Sequence, residues 1–272
     1  MNKVVSVASR ILLGFLLLLT LLPFFLLGIN AFKGQSEIIK TPFALASDWQ
    51  FSNFSKALPQ VIRPMLNSLL VTAAVILITL VVSVLASYAF TRYENFKGKN
   101  ILFYGIIALL MIPGFVMLIP QFVQITDLGL YNSYWALILP PAAYQVAMGT
   151  YLIRTSMDAI SKSLFEAAEI EGASDMEILV RVVVPLSKPI LSTVTIMTGL
   201  NAWNNYIWPL VASSGEKTQQ IAVALTKLIV SVSDGNGVLF AGYIIASLPL
   251  IVLFCFASKY FVAGLTQGAV KG

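Results

Sequence analysis

The side chains in this chain that could do chemistry are suited to docking and hydrogen bonding, not to bond breaking. There is no His, and the one Cys, Cys255, lies in an apolar run. His-dependent triads, imidazole metal sites and an intrachain disulfide are therefore excluded. Two groups of polar residues stand out instead. One is a stretch rich in Glu and Ala at 163–172, and the other is a row of amides and hydroxyls at 195–205 within an apolar segment.

The stretch 163–172, SLFEAAEIEG, predicts a short helix that ends in a glycine turn. Ser163 and Glu166 have the spacing of a capping box, good helix formers follow, and Gly172 stands where a left-handed residue commonly ends a helix. The same capping-box spacing recurs at Ser174, which predicts a second helix after the turn. By these residues alone, a docking site for a partner protein and an inert solvated loop are about equally favoured.

The polar row in the fifth apolar segment indicates either a solute path or contacts between helices. The row consists of Thr195, Thr198, Asn201 and Asn205. At 100° per residue these positions span about a third of a helix circumference. Amides and hydroxyls can bond the hydroxyl groups of a solute, but they also join neighbouring helices in membranes. Residue by residue we favour the second interpretation, and for the row as a whole the first. Tyr144 and Gln145, which follow a Pro-Pro pair in the fourth segment, are weaker path candidates.

The composition sets the environment in which these residues act. Of 272 residues, 58% are hydrophobic and 11% charged, whereas soluble chains carry about 25% charged residues. A soluble enzyme, a nucleic-acid-binding domain and a disordered scaffold are therefore excluded. Segments without Asp, Glu, Lys or Arg, each long enough to cross a bilayer, are 11–32, 68–90, 101–123, 134–153, 190–210 and 238–257. We predict an all-α polytopic membrane protein with six transmembrane helices.

The Lys and Arg residues of the loops predict the orientation. With the N-terminus inside, eleven of the 17 Lys and Arg are cytoplasmic and six are external. Positive charge favours the cytoplasmic side, so both termini are expected there. The same orientation places the long polar loop 154–188 in the cytoplasm, with five acidic residues between positions 166 and 177.

The cytoplasmic loop resembles the EAA loop of membrane subunits of binding-protein-dependent ABC importers. The resemblance is carried by Glu166-Ala167-Ala168, Gly172-Ala173 and the segment PLSKP at 185–189. Where many members have Asp before the glycine, this chain has Glu171, which keeps the charge. Further segments are similar to the maltose-type carbohydrate-importer branch, and they are ASYAFTR at 86–92, WNNYIWPL at 203–210 and the ending GLTQGAVKG at 264–272.

The resemblance implies a fold, an activity and a set of partners. The fold is that of a type I ABC importer permease, divided into 1–64 (first span and external loop), 65–262 (permease core) and 263–272 (cytoplasmic tail). The partners are a second related permease, two ATPase subunits and an extracytoplasmic solute-binding protein in a prokaryotic plasma membrane. ATP and Mg would be bound by the ATPase subunits and no cofactor by this chain, which has no G-x-x-x-x-G-K-[ST] motif.

The resemblance also assigns roles to residues. In the family, the EAA helix sits in a groove of the ATPase, which implies coupling roles for Glu166, Ala167, Ala168, Gly172 and Ala173. The matching chain ending implies ATPase contacts for Gln267, Lys271 and Gly272 in the tail.

The expected function is that of a permease subunit, without enzymatic activity of its own, for a carbohydrate, in particular an oligosaccharide. The same loop also fits an importer of a polyol, a sugar phosphate, an amino acid or a peptide. A secondary transporter is disfavoured, because no span contains the Asp, Glu, Lys or Arg that ion coupling usually requires.

Overall fold

The described part of the chain is helical, as the sequence predicts. The computed structural model describes residues 3–93, 96–230 and 235–269, of which residues 3–6, 8, 229–230 and 256–269 are described by their backbone alone. In chain order the elements are α1 (Lys3–Asn30), α2 (Gln35–Lys40), α3 (Ser52–Arg92), α4 (Lys99–Leu110), α5 (Leu118–Asp127), α6 (Tyr134–Met157), α7 (Lys162–Ile170), α8 (Asp175–Ile178), a π-helical turn (Leu179–Val183), α9 (Val184–Leu186), α10 (Lys188–Trp203), α11 (Ile207–Ala212), α12 (Ile221–Val230) and α13 (Asn236–Ala269).

Among the described residues, four helices are long and apolar enough to cross a membrane singly. They are Ser9–Asn30, Ser52–Arg92, Tyr134–Met157 and Asn236–Cys255. A fifth candidate is the pair Asp175–Leu186 and Lys188–Trp203, whose two parts meet at 77°. The chain is therefore a protein with several membrane-spanning helices.

Two of the predicted spans are not single helices, which corrects the sequence analysis. The segment 101–123 is divided into α4 and α5 by residues 111–117, where consecutive tight turns replace the helix around Pro113 and Gly114. Proline lacks the N–H that continues a helix, and glycine weakens one. The segment 190–210 is divided after Trp203, where α10 ends. Hydropathy detects the length of an apolar run, but it does not show whether the backbone within the run is broken.

The chain forms two compact units. The first unit comprises Met1–Met65 and Val223–Leu248, and the second comprises Leu66–Ala222 and Pro249–Gly272. The division into 1–64, 65–262 and 263–272 that the resemblance implies is a functional one and stays a prediction.

The first unit contains an ordered loop after α1. Lys33 is fully buried there, and its Nζ donates a hydrogen bond to the carbonyl of Thr41 at 2.7 Å. The amide of Asn53 donates to the carbonyls of Ala31, at 2.9 Å, and of Lys33, at 3.1 Å. These bonds satisfy backbone oxygens that would otherwise be buried without a partner, and they fix the start of α3 against the end of α1.

The second unit is built on close packing between α3 and α6. Ser83 donates to the carbonyl of Val146 at 3.1 Å, and Ser87 donates to the carbonyl of Thr150 at 3.0 Å. Gly149 lies between these contacts and has no side chain to hold the helices apart. Small residues and hydroxyls of this kind let membrane helices approach closely.

Two apolar clusters extend from this helix pair. One joins α3 and α6 to α5 and α11, with Trp208 among its buried members. The other joins the ends of α3 and α6 to α7, α8, the π-helical turn and α10, with Phe165 and Ile178 among its buried members. The polar loop 154–188 is thus packed onto the core and does not extend away from it.

The close approach of α3 and α6 at Gly149 predicts the effect of adding a side chain there. A Cβ atom there would lie 2.6 Å from Ser83 Oγ and 3.1 Å from Ser83 Cβ, so Gly149→Val should overpack the interface and cost about 1–3 kcal/mol. The thermal unfolding midpoint of the purified protein in detergent measures this cost. Gly105→Val is the matched control, because a Cβ at position 105, on α4, would have no atom of the described residues within 4 Å. Equal midpoints for the two variants would contradict the assignment.

Candidate functional site

The polar loop 154–188 contains two helices on either side of a glycine turn. α7 begins at Lys162 with Ser161 as its N-cap, and that side chain makes no capping bond. The capping box predicted for Ser163 is therefore wrong, because Ser163 lies inside the helix and contacts Ser161 through its hydroxyl at 2.7 Å. The box predicted at Ser174 is confirmed, since Ser174 and Glu177 exchange the two side-chain to backbone bonds before α8.

The turn between the two helices has the predicted left-handed glycine. Gly172 has φ +82°. Its N–H donates to the carbonyl of Glu169 at 2.9 Å, and the N–H of Ala173 donates to the carbonyl of Ala168 at 3.0 Å. These bonds satisfy carbonyls at the end of α7 that have no partner within the helix. A Cβ at position 172 would have no atom of the described residues within 4 Å, so the backbone conformation, not crowding, requires glycine there.

The residues of the EAA resemblance divide between two faces. Glu166, Ala167 and Gly172 are exposed, as is Ile170, with 87% of its surface accessible. Ala168 is half-buried and packs against the apolar cluster that contains Phe165. Ala173 packs against the same cluster. The first set can contact another protein, whereas Ala168 and Ala173 hold the loop on its own core.

A cluster of charged and phenolic side chains joins this loop to the end of α3. Arg92, the last residue of α3, forms ion pairs with Glu169 on α7 and with Asp175 on α8, the latter at 3.2 Å from Nε to Oδ1. Tyr88 and Tyr93 donate their hydroxyls to Asp175 at 3.2 and 2.7 Å. We call these five residues the Arg92 cluster.

The electrostatics of the cluster keep Asp175 ionised. The hydrogen bond from Tyr93 is the largest of the effects that lower the pKa of Asp175, while burial acts in the opposite direction. The pKa of Asp175 in the folded protein lies below its value in the unfolded chain. The ionised carboxylate therefore stabilises the folded protein, and this contribution is fully present at a pH above the unfolded pKa. The contribution of Asp175 to folding stability is lost as the pH falls through its pKa in the folded protein. The carboxylate is therefore charged throughout the physiological range.

The loop continues into α10 through an irregular segment. The second predicted helix becomes α8, the π-helical turn and α9, and it bends by 77° into α10 near Ser187. Pro185 lies in this segment, where it cannot donate the bond that a regular helix would need. π-Helical turns commonly accompany such interruptions and are frequent at functional sites.

The second unit also contains a cavity of about 930 Å³. Residues from α4, α5, α6, α10 and α11 line it, and so do both helix breaks, 111–117 and 204–206. Its wall is largely apolar, and none of the described lining residues is Asp, Glu, Lys or Arg. The polar and phenolic lining residues are Gln121, Tyr144, Gln145, Asn201, Asn204, Asn205 and Tyr206.

One hydrogen bond fixes the wall of the cavity where α6 contains its two prolines. Pro140 has no N–H, so the carbonyl of Ala136 lacks the partner that a regular helix would supply. The indole Nε1–H of Trp208, on α11, donates to this carbonyl at 2.9 Å. Trp208 is buried and belongs to the apolar cluster of α3, α5 and α6. The proline thus creates an acceptor that anchors α11 to α6.

The structure brings four of the six predicted path residues to the cavity. Asn201, Asn205, Tyr144 and Gln145 line it. Asn205 lies beyond the end of α10 at Trp203, so it is not on the same helix as the other members of the predicted row. The Oδ1 of Asn205 instead accepts from the backbone N–H of Trp208 at 3.3 Å, near the start of α11.

The two threonines of the predicted row lie elsewhere. Thr195 is half-buried and donates to the carbonyl of Leu191 at 2.8 Å, while Thr198 is fully buried within α10. Asn201 donates to the carbonyl of Met197 on its own helix at 2.8 Å. In the described part of the chain, the Asn201 amide therefore does not bond a neighbouring helix. The roles of all six residues stay predictions.

Of the three predicted contact residues in the tail, the structure describes the backbone of one. Gln267 lies in α13, and its side chain is not described. Lys271 and Gly272 lie outside the described residues.

Sequence reasoning missed the Arg92 cluster and part of the cavity. Glu169 and Asp175 are 77 and 83 positions from Arg92 along the chain, so spacing gives no signal for their contact. Gln121 was detectable, because a glutamine within an apolar run is costly unless it has a polar surrounding.

The family of the chain follows from its sequence as a whole. Residues 80–267, well over half of the chain, match the model of the binding-protein-dependent transport system inner membrane component. The chain therefore belongs to this family of ABC importer permease subunits, which are not themselves catalytic.

Named relatives and a solved structure agree with this membership. The chain is 38% identical over 251 residues to the probable ABC transporter permease protein YurM of Bacillus subtilis, covering 92% of this chain and 83% of that protein. It is 30% identical over 276 residues to the arabinooligosaccharides transport system permease protein AraQ of the same species, covering 99% and 97%. A chain of a bacterial ABC transporter involved in the import of the acidic polysaccharide alginate shares its fold, with a TM-score of 0.84 at 24% identity and coverage of 95% and 97%.

The left-handed turn yields a prediction. A β-branched residue at φ +82° is strained by about 1 kcal/mol or more, so Gly172→Val should loosen the turn between α7 and α8. Faster amide hydrogen exchange across 162–178 measures this loosening. Gly172→Asn is the control, because asparagine tolerates the left-handed region, and its exchange should stay near that of the wild type. Equally fast exchange in both variants would show that the side chain, not the backbone conformation, matters.

Proposed function

We propose that this chain is the membrane permease subunit of an ATP-driven importer for a neutral carbohydrate, in particular an oligosaccharide. The observation that carries the proposal is the cavity of the second unit, whose described lining combines two helix breaks with amide and phenol groups and contains no Asp, Glu, Lys or Arg. An extracytoplasmic binding protein would deliver the solute to this cavity, and partner ATPase subunits, which bind ATP and Mg, would drive its release inward.

The helix breaks support a water-accessible path. A backbone inside a membrane must satisfy its hydrogen bonds internally, and irregular backbone is tolerated only within protein or along a water-filled cavity. The segments 111–117 and 204–206 both lie in apolar runs and both line the same cavity. A permeating solute requires such a hydrated surface, whereas a bundle that served only as an anchor would not.

The chemistry of the lining supports an uncharged, hydroxyl-rich solute. Asn201, Asn204 and Gln121 can donate to and accept from hydroxyl groups. Tyr206 and Tyr144 add flat apolar faces, on which a sugar ring can lie. An amino acid, a peptide with charged termini or a sugar phosphate would bring charges that are costly to bury without a partner charge, and the described lining supplies none. The relative AraQ, named for arabinooligosaccharides, favours a saccharide over the remaining alternative, a polyol.

The membrane arrangement belongs to the same proposal. The chain crosses the membrane six times under two conditions. The third crossing consists of α4, the segment 111–117 and α5, and the fifth crossing consists of α10 and α11. Both chain termini are then cytoplasmic, and the loop 154–188 faces the ATPases. A second related permease would complete the path in the inner membrane of a prokaryote.

The exposed face of α7 supports ATPase docking. Glu166 and Ala167 lie on the outer side of a helix whose inner side is held by Phe165. A docking surface needs this combination of an accessible outer face and a fixed inner face. The tail residues Gln267, Lys271 and Gly272 are proposed as further contacts on the family resemblance.

Reconstitution tests the function directly. The chain, its partner permease, the ATPases and the binding protein should show ATP hydrolysis in proteoliposomes that rises with a neutral oligosaccharide. An uncharged polyol, an amino acid and a sugar phosphate serve as competing solutes. Stimulation by one of these competitors, and not by the oligosaccharide, would refute the carbohydrate assignment.

Charge reversal tests the docking face. Glu166→Lys should reduce ATPase copurification or the solute moved per ATP, because it inverts a charge on the proposed contact. Glu216→Lys is the matched control, since Glu216 is also exposed but lies in a loop predicted to be external. If Glu166→Lys leaves both copurification and transport at the control level, the α7 surface is not the dock.

Replacing a cavity amide tests the path. Asn201→Leu keeps most of the side-chain volume and removes the hydrogen bonds to solute hydroxyls, so transport should fall about tenfold or more. Assembly of the complex should change little. Thr195→Val on the same helix is the control, because Thr195 does not line the cavity. Loss of assembly before loss of transport would assign Asn201 a structural role.

A further inference from the structure

We propose that Arg92 and Asp175 are positioning residues that hold both helices of the loop 154–188 on the cytoplasmic end of α3. A displacement of α7 would then be passed to the helices around the cavity. This inference rests on the proposed function, since it assigns the path by which ATPase closure reaches the solute.

Arg92 lies where one side chain reaches both helices of the loop. It is the last residue of α3, a continuous helix of 41 residues. Its guanidinium contacts Glu169 before the Gly172 turn and Asp175 after it. Arginine presents several N–H donors in a fixed plane and can hold two carboxylates at once. One side chain therefore sets the position of both α7 and α8 relative to the end of α3.

The turn itself needs such an external hold. Gly172 is exposed, and a Cβ placed there would meet no atom of the described residues within 4 Å. The apolar contacts of Phe165 and Ile178 keep the two helices on the core. Burial of apolar surface is not directional, however. Directional bonds from Arg92, Tyr88 and Tyr93 fix the orientation that apolar contacts leave open.

A second set of contacts extends this connection toward the cavity. Thr91 donates to Asp158 at 2.9 Å, and Asp158 pairs with Arg154 near the end of α6 at 3.5 Å. The guanidinium of Arg154 lies over the ring of Phe103 on α4, 3.6 Å from its centroid. The ends of α3, α4 and α6 are thus joined beside the loop, and α4 and α6 both supply residues that line the cavity.

The test compares two arginines of the same unit. Arg92→Gln removes the ion pairs of the cluster and keeps most of its side-chain volume. Arg181→Gln is the matched control, because Arg181 is 78% exposed and pairs with Glu177 of its own segment at 3.8 Å. Arg92→Lys should rescue in part, since lysine keeps the charge but lacks the planar group that spans two carboxylates.

Two measurements on the assembled importer separate positioning from general stability. In Arg92→Gln, amide hydrogen exchange across 162–178 should rise about fivefold, the effect of losing about 1 kcal/mol of local stability. Solute moved per ATP hydrolysed should fall severalfold while the ATPases still copurify. The control should match the wild type in both, and Arg92→Lys should lie between.

The outcomes that contradict the positioning role of Arg92 differ from the outcome that contradicts the proposed function. Unchanged exchange in Arg92→Gln, or faster exchange with unchanged solute per ATP, would overturn the positioning role. Should Arg92→Gln fail to assemble, Tyr93→Phe, which removes one hydroxyl bond to Asp175, must lower solute per ATP or the inference is wrong. A wild-type complex that no carbohydrate stimulates would instead refute the proposed function, and the exchange measurement would still decide whether Arg92 holds the loop.

Discussion

The structure of the second unit depends on one constraint, namely that a backbone in apolar surroundings cannot leave its polar groups without partners. Pro140 removes a helical donor within α6, and the indole of Trp208 satisfies the freed carbonyl of Ala136. That bond places α11 against α6 and so closes one wall of the cavity. The breaks at 111–117 and 204–206 obey the same constraint in another way, because both open onto the cavity. An interruption of a helix is costly in lipid, but it is tolerated within protein or along a hydrated cavity.

The loop 154–188 is held in place by a combination of apolar burial and directional bonds. Phe165 and Ile178 hold the loop 154–188 against the apolar cluster at the ends of α3 and α6. Arg92 and Asp175 then orient it with ion pairs that are partly shielded from solvent. The outer face of α7, at Glu166 and Ala167, stays exposed. Direct contacts thus join α7, the helices after the Gly172 turn and the end of α3.

The described lining of the cavity contains no Asp, Glu, Lys or Arg. Charges at this depth would be expensive to desolvate and are found where a solute or ion demands them. Amides and phenols serve hydroxyl groups at much lower desolvation cost. The proposal of an uncharged solute therefore depends on the same lack of Asp, Glu, Lys and Arg that identifies the spans in the sequence.

The sequence by itself determined the elements whose causes are local. Apolar length predicts membrane helices, the capping box at Ser174 requires neighbours within one turn, and Gly172 reflects one residue's backbone conformation. The EAA resemblance identified the loop, because its residue types and spacing lie within a short stretch. Tertiary structure alone decided which of those residues face outward, why Thr195 and Thr198 miss the cavity, and where α4 and α10 end. It also brought Arg92 to Asp175 and Trp208 to Ala136 across more than 70 positions of chain. Such contacts depend on how whole helices pack, and no local pattern of residues encodes that packing.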